Sequence, residues 1–219
     1  MSNINTKSYW DNRFGSGDWE YNKGRDQTKE FARSQIPLLN IDENIEGSIL
    51  DFGCGLGDAF PLYKKSFRKA KLFGIDISDE AIKKCIHEYG DIAEFICGSH
   101  LDVPVCDIII ASNVFEHLSN DIAIAKHLKG KCRELYIIVP YMERLDSEQS
   151  CSEHVNTYNK EYFIELGEYS YKVFNSRGWS EYGLNLIFNI WVKNVYLFLF
   201  GKSLIKRKKQ IMYRFTRQS

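Results

Sequence analysis

Residues 51–58 read Asp-Phe-Gly-Cys-Gly-Leu-Gly-Asp, placing three glycines at alternate positions directly behind an apolar run. Glycines so spaced admit positive φ and let a ligand lie against the backbone. The dinucleotide fingerprint GxGxxG would need glycine at position 58, which is Asp58. A pyrophosphate at the following helix N-terminus would meet that carboxylate, so NAD and FAD are not expected. The phosphate cradle GxxxxGK[ST] is absent too. What stands is Asp51-x-Gly53-x-Gly55-x-Gly57 and, 23 residues beyond Gly53, Asp76. A carboxylate at that point can accept two hydrogen bonds from vicinal ribose hydroxyls.

Histidine is the other residue type that could do chemistry here, since a neutral imidazole is a natural base near pH 7. His117 ends "IIIASNVFEH" and His154 sits in "SCSEHVNTYNKEYF"; His87 lies in a charged stretch and reads as solvated. Carboxylates that could hold magnesium near "SNVFEH" reduce to Glu116, so no metal is expected. The six cysteines (Cys54, Cys85, Cys97, Cys106, Cys132, Cys151) show no CxxC or Cys/His ligand spacing, which implies reduced thiols and no structural zinc.

The elements that must position these groups follow from hydropathy. Segments 48–53, 71–76, 93–98, 106–112 and 134–140 are short and nearly apolar throughout, as strands covered on both faces are. Segments 57–67, 78–89 and 120–130 between them have helical character, with Ser78 as an N-cap ahead of Asp79 and Glu80. Alternating strands and helices predict right-handed crossovers and an α/β, doubly wound, mostly parallel sheet with its site at the carboxyl ends of the strands. At 219 residues the chain reads as a single domain: an N-terminal lid segment 1–44, a binding core 45–140 and an acceptor-side region 141–219.

This constellation resembles the class I S-adenosylmethionine-dependent methyltransferases over roughly residues 45–140, through the acid-GxGxG motif and the acid that ends the second strand. The resemblance implies a seven-stranded Rossmann-like fold whose last strand is antiparallel. Segments 169–174 and 209–217 would supply the final two strands, with an insertion at about 178–208 between them. It further implies S-adenosylmethionine as cofactor and S-adenosylhomocysteine as product. Gly53, Gly55 and Gly57 would lie under the methionine and ribose. Asp51 would face the ammonium, directly or through water, Asp76 the ribose and Ile77 the adenine. Where the family commonly has an acid for the adenine amino group this chain has Ser99 and His100, a departure. Asn113 would face the site, with Glu116 and His117 behind it.

The family also points to His154 as preferred base, with His117 second. Tyr9, Trp10 and Trp19 are lid candidates that would meet the acceptor, as would Tyr141 and Tyr158, while Arg25 or Gln27 could reach the methionine carboxylate or an anionic acceptor. The fourth motif lacks the proline-rich pattern of adenine amino-group enzymes. A looser resemblance of the N-terminal "YW..RF...GDWE" to bacterial glycan-pathway methyltransferases makes a small-molecule or sugar hydroxyl the expected acceptor. Two alternatives stay open: an RNA-modifying enzyme and a non-catalytic cofactor-binding scaffold. The net charge is zero, yet eight basic and no acidic residues follow Glu181. The apolar stretch 184–200 and the lysines after it could meet an anionic membrane surface, a second subunit or their own domain. No leader is recognisable, so a cytoplasmic location is expected, at the inner face of a membrane if that contact holds.

Overall fold

The computed structural model describes residues 4–145, 151–176, 184–200 and 208–217. Seven strands form one sheet: β1 (Ser48–Phe52), β2 (Lys71–Asp76), β3 (Glu94–Cys97), β4 (Ile108–Ser112), β5 (Glu134–Pro140), β6 (Ser170–Asn175) and β7 (Lys209–Thr216). Their order is β3-β2-β1-β4-β5-β7-β6, parallel through β5, with β7 antiparallel to both its neighbours. Strand order reverses between β1 and β4, so a crevice opens beside the carboxyl end of β1. The predicted architecture is the observed one.

The helices are α1 (Lys7–Gly15), α2 (Asp18–Tyr21), α3 (Gly24–Gln35), α4 (Phe60–Ser66), α5 (Asp79–Tyr89), α6 (Asp121–Lys131) and α7 (Leu184–Leu199), of which α4 and α5 pack on one face of the sheet and α6 on the other. The Ser78 hydroxyl accepts from the Ala81 amide and caps α5 as its sequence position requires. Helix α4 starts at Phe60 rather than at 57. Gly57 has φ +76°, outside the helical region, and Pro61 occupies the first turn.

The sheet divides the core into two apolar layers. On one side Phe115, Leu128, Tyr158 and Phe163 pack on Leu50, Ile109 and Ile137. On the other, Phe60, Tyr63 and Ile82 pack on Ile49, Ile108 and Ile110. Burying a side chain of this kind contributes roughly 1.5–3 kcal/mol. The layering corrects one expectation, because Tyr158 is fully buried and its hydroxyl donates to Asp121 Oδ2 at 2.8 Å, well inside the core. Tyr141 is tied into the same region by a backbone bridge to Tyr158 and by its amide to the Lys209 carbonyl. Both tyrosines brace the fold and neither lines the crevice.

Tyr158→Phe keeps the ring and removes one buried hydrogen bond to a carboxylate. Denaturant unfolding is expected to show a loss of about 1–3 kcal/mol, with cofactor affinity within twofold of the parent.

Candidate active site

The turn after β1 is built on the end of β2. Gly53 and Cys54 donate their amides to the Ile75 carbonyl at 2.8 and 3.1 Å, and Gly55 donates to Asp76 Oδ2 at 2.9 Å. The other Asp76 oxygen accepts the Ser78 amide at 2.9 Å, so the carboxylate is fixed by two backbone donors. Gly53 sits at φ +74°, and a Cβ there would come within 2.4 Å of Val114 Cγ2. No other residue fits. Gly57 serves differently from the expectation: a Cβ would press on the Tyr89 ring at 2.9 Å and Cys85 Sγ at 3.0 Å, so it packs against α5 and does not line the cavity.

Asp51 and Asp76 define the electrostatics. Burial, with Asp76 adding its negative charge, pushes the Asp51 carboxyl up to about 8. Burial raises Asp76 too, against the backbone amides that favour its ionised form. Among the described residues no lysine or arginine pairs with either. The pair therefore asks for a cation, as expected, though the grounds shift from Asp58. That residue is turned away from the cavity, bonded to Arg25 Nε at 3.0 Å and to the Tyr89 hydroxyl at 3.1 Å. Its charge is spent inside the protein and excludes no ligand.

Helices α1–α3 roof the crevice. Lys84 donates to the Phe14 carbonyl at 2.6 Å and Ser78 Oγ to Asp11 Oδ1 at 2.8 Å, which pins α1 to α5. On the opposite side Asn5 Nδ2 holds the Glu153 carbonyl at 2.7 Å, while the Tyr9 hydroxyl and Arg13 Nη1 reach Glu153 Oε1 at 2.5 and 3.3 Å. Trp10 stacks on Phe14 and sets its edge on His117, with centroids 5.7 and 5.3 Å apart.

Beneath this roof runs one cavity of about 590 Å³, reaching from Asp51, Gly53, Gly55 and Asp76 to Glu116, His117 and His154. Its floor holds a closed ring of hydrogen bonds that the sequence did not suggest. Ser112 Oγ donates to Gln35 Oε1, Gln35 Nε2 to Gln210 Oε1, Gln210 Nε2 to Asn113 Oδ1 and Asn113 Nδ2 to Ser112 Oγ, at 2.6–3.3 Å. The ring joins α3, the end of β4 and β7. Asn113, at φ 56°, is turned into it by a left-handed backbone and a 2.8 Å bond from its own amide to the Ile138 carbonyl.

At the far end, His154 Nδ1 lies 2.5 Å from Glu143 Oε2 and its Nε2 lies 4.0 Å from Glu116 Oε1. Burial opposes its charge, but contacts with Cys151, Glu143 and Glu116 prevail and push it up to about 10. His117 is driven down to about 4, first by burial and then by His154. As these residues stand, His154 carries its proton at neutral pH and His117 does not, which reverses their expected order as proton acceptors.

Residues 50–134 match the methyltransferase-domain family. From β1 into the start of β5, the chain is thus similar to a methyltransferase domain. No curated protein sequence gives a significant match. Solved structures with the same fold include the plantazolicin methyltransferase BpumL in complex with S-adenosylhomocysteine, 20% identical, covering 97% of this chain and 96% of that one with a TM-score of 0.53. A chain from the complex between the Haloferax volcanii Trm112 methyltransferase activator and a methyltransferase is 14% identical, covering 95% and 98%, with a TM-score of 0.69. Coclaurine N-methyltransferase bound to N-methylheliamine and S-adenosylhomocysteine is 12% identical, covering 85% and 69%, with a TM-score of 0.60.

Asp51, Gly53, Gly55, Asp76, Ile77 and Asn113 all line the one cavity, and Trp10, Trp19 and Gln27 reach its wall from the roof. Ser99 and His100 do not. The Ser99 hydroxyl caps a short turn by accepting from the Leu101 amide and bonds Asp102 Oδ2, while the His100 ring meets His127. Arg25 is consumed by Asp58 and Glu88 and holds α3 to the glycine turn. Tyr9 spends its hydroxyl on Glu153 and stands behind the wall. Missed by sequence reasoning were Gln35, Gln210, Glu143 and Glu153. Each arrives from a separate element with no spacing to announce it.

Because Asp51 titrates near 8 in the folded chain and near 4 when unfolded, the folded state holds the extra proton between those values. Ligand-free stability is therefore expected to fall as pH rises from about 4 to 8. Asp51→Asn should flatten that decline in melts recorded at pH 5, 6.5 and 8.

Proposed function

We propose that this methyltransferase acts on a hydroxyl of a small anionic acceptor of the sugar type. One observation carries the reading: the cavity that holds the carboxylate pair continues without a break into a wall of hydrogen-bonding side chains, and Lys193, Lys208 and Lys209 also line it. Gln35, Asn113 and Gln210 suit an acceptor rich in hydroxyls, and the three lysines suit a phosphate or carboxylate attached to it. Neighbours named for plantazolicin and for coclaurine do not choose the acceptor between them.

Asp51 and Asp76 fit S-adenosylmethionine because they are shielded acids with which no lysine or arginine pairs among the described residues. In this reading Asp76 receives the ribose and Asp51 the ammonium. When bound, the cofactor supplies a methyl group on a positively charged sulfur. Transfer then needs alignment, exclusion of water and the loss of one acceptor proton. Trp10 and Phe14 shield the crevice, and Glu116, His117 and His154 receive the acceptor hydroxyl.

Helix α7 adds a surface to this picture. Among the described residues no helix is long and apolar enough to cross a membrane. Trp191, Phe198, Leu199 and Phe200 are nevertheless 62–74% exposed, close in sequence to a run of lysines and arginine. Lys202, Lys206 and Arg207 of that run lie outside the described residues. Apolar rings beside positive charge match an anionic lipid surface, which would bring a lipid-linked acceptor to the site.

The test is transfer of labelled methyl from S-adenosylmethionine to nucleotide sugars, glycolipids and RNA. Label is expected on a sugar hydroxyl, and His117→Ala should cut turnover about 100-fold while cofactor affinity stays within threefold. Label confined to RNA, or to no acceptor despite tight cofactor binding, would overturn the reading. In a separate sedimentation assay with anionic vesicles, replacing Trp191 and Phe198 by Ser should release the protein.

A further inference from the structure

The end of the cavity farthest from the glycine turn holds more than an acceptor wall. Glu116, His117 and His154 each offer one ligand atom, and these atoms all lie within 4.8 Å of one another. Glu116 is only 1% exposed, yet its Oε2 has no hydrogen-bond partner. Leaving a buried carboxylate oxygen unpaired is costly, more so than for a neutral group. The oxygen therefore points to something the protein's own side chains do not supply.

The orientation of the two imidazoles says what that is. His117 Nδ1 lies 3.2 Å from the Glu153 carbonyl, and His154 Nδ1 lies 2.5 Å from Glu143 Oε2. Each ring thus has Nδ1 turned to an outer acceptor, which directs Nε2 inward; His117 is neutral and offers a lone pair there, and an ion at His154 Nε2 would take the place of the second proton that this ring carries without metal. His154 Nε2 faces Glu116. Histidines held from behind by a carbonyl or carboxylate, with the second nitrogen turned inward beside a carboxylate, are the arrangement that divalent metal ions select. Three protein ligands facing a cavity also leave a coordination position open, which distinguishes reactive from structural sites.

We propose that Glu116, His117 and His154 bind a divalent transition-metal ion, zinc by ligand type, whose open position faces the acceptor end of the cavity. Two nitrogens and one oxygen suit zinc, manganese or iron rather than magnesium, which favours oxygen alone. Ligand atoms about 2.1 Å from an ion would sit roughly 3.4 Å apart in a tetrahedral site, so the three must draw inward by about 1.4 Å from their widest separation of up to 4.8 Å. The expectation of no metal weighed only the segment after β4. His154 reaches the site from beyond β5, and that convergence is invisible in spacing. An acceptor oxygen on the ion would lose its proton more readily; this role rests on the methyl-transfer reading, whereas binding of the ion does not.

The experiment accordingly uses the full chain, freed of metal by chelation and without cofactor, titrated with Co²⁺. Visible absorption reports coordination, and tryptophan emission reports it independently, because Trp10 stands edge-on to His117 at 5.3 Å. One equivalent should bind in the micromolar range or tighter and be displaced by Zn²⁺. Glu116→Gln and His154→Ala should each weaken binding at least 100-fold. Glu143→Gln, which removes the outer carboxylate partner of His154 together with a 3.7 Å ion pair to Lys208, should weaken it 10–100-fold, and His87→Ala should change nothing. Absence of a saturable signal up to about 1 mM, or saturation that survives both Glu116→Gln and His154→Ala, overturns the site. S-adenosylmethionine titrated into the same samples reads the cofactor half alone, so failure of the metal site and failure of the methyltransferase reading are separately visible.

Discussion

Two carboxyl groups, Asp51, which is buried, and Asp76, which is half-buried, stand at the ends of β1 and β2, and among the described residues no lysine or arginine pairs with either. Shielding two neighbouring carboxyl groups from water is costly, which is why Asp51 holds its proton up to about 8, and such a pair persists only where surrounding structure over-determines it. Here the determinants are visible. The parallel register of β1 with β2 sets the two acids near one another, and the amides of Gly55 and Ser78 fix Asp76. Core packing on both faces of the sheet holds the strand ends in place. In the proposed reading, a cationic ligand answers that unpaired carboxyl pair.

The roof over the crevice follows from the same constraint, since carboxylates left open to water would be solvated and would lose their preference for a cation. Helices α1–α3 are anchored at both ends of the cavity: to α5 through Lys84 and Ser78, and to the loop after β5 through Glu153. Glu153 is the junction. Its side chain receives the roof through Tyr9 and Arg13, while its carbonyl orients His117. Closure over the cofactor half and the orientation of the acceptor half are thereby mechanically linked.

The five parallel strands were legible in the sequence because strands covered on both faces are continuous apolar runs, whereas β6 and β7, antiparallel and in β6 largely exposed, were placed within one residue only through the family resemblance. That Asp51, Gly53, Gly55 and Asp76 share one cavity was equally legible, since they lie on two consecutive strand ends where spacing is informative. Side-chain direction was not. Ser99 follows β3 as an adenine contact should, yet its hydroxyl turns back to cap a turn, and Tyr158 beyond His154 points into the core. The Ser112–Gln35–Gln210–Asn113 ring and the Glu143–His154–Glu116 cluster were illegible for another reason. Their members come from elements far apart in the chain and are brought together only by the antiparallel return of β7 and the path of the chain beyond β5.

The most direct measurement of the central claim is a crystal structure with S-adenosylhomocysteine bound. Ribose hydroxyls are expected on Asp76, with the amino group facing Asp51 and the thioether sulfur turned toward the end of the cavity that holds Glu116, His117 and His154. A ribose held elsewhere, or Asp51 and Asp76 left without contact to the ligand, would contradict it.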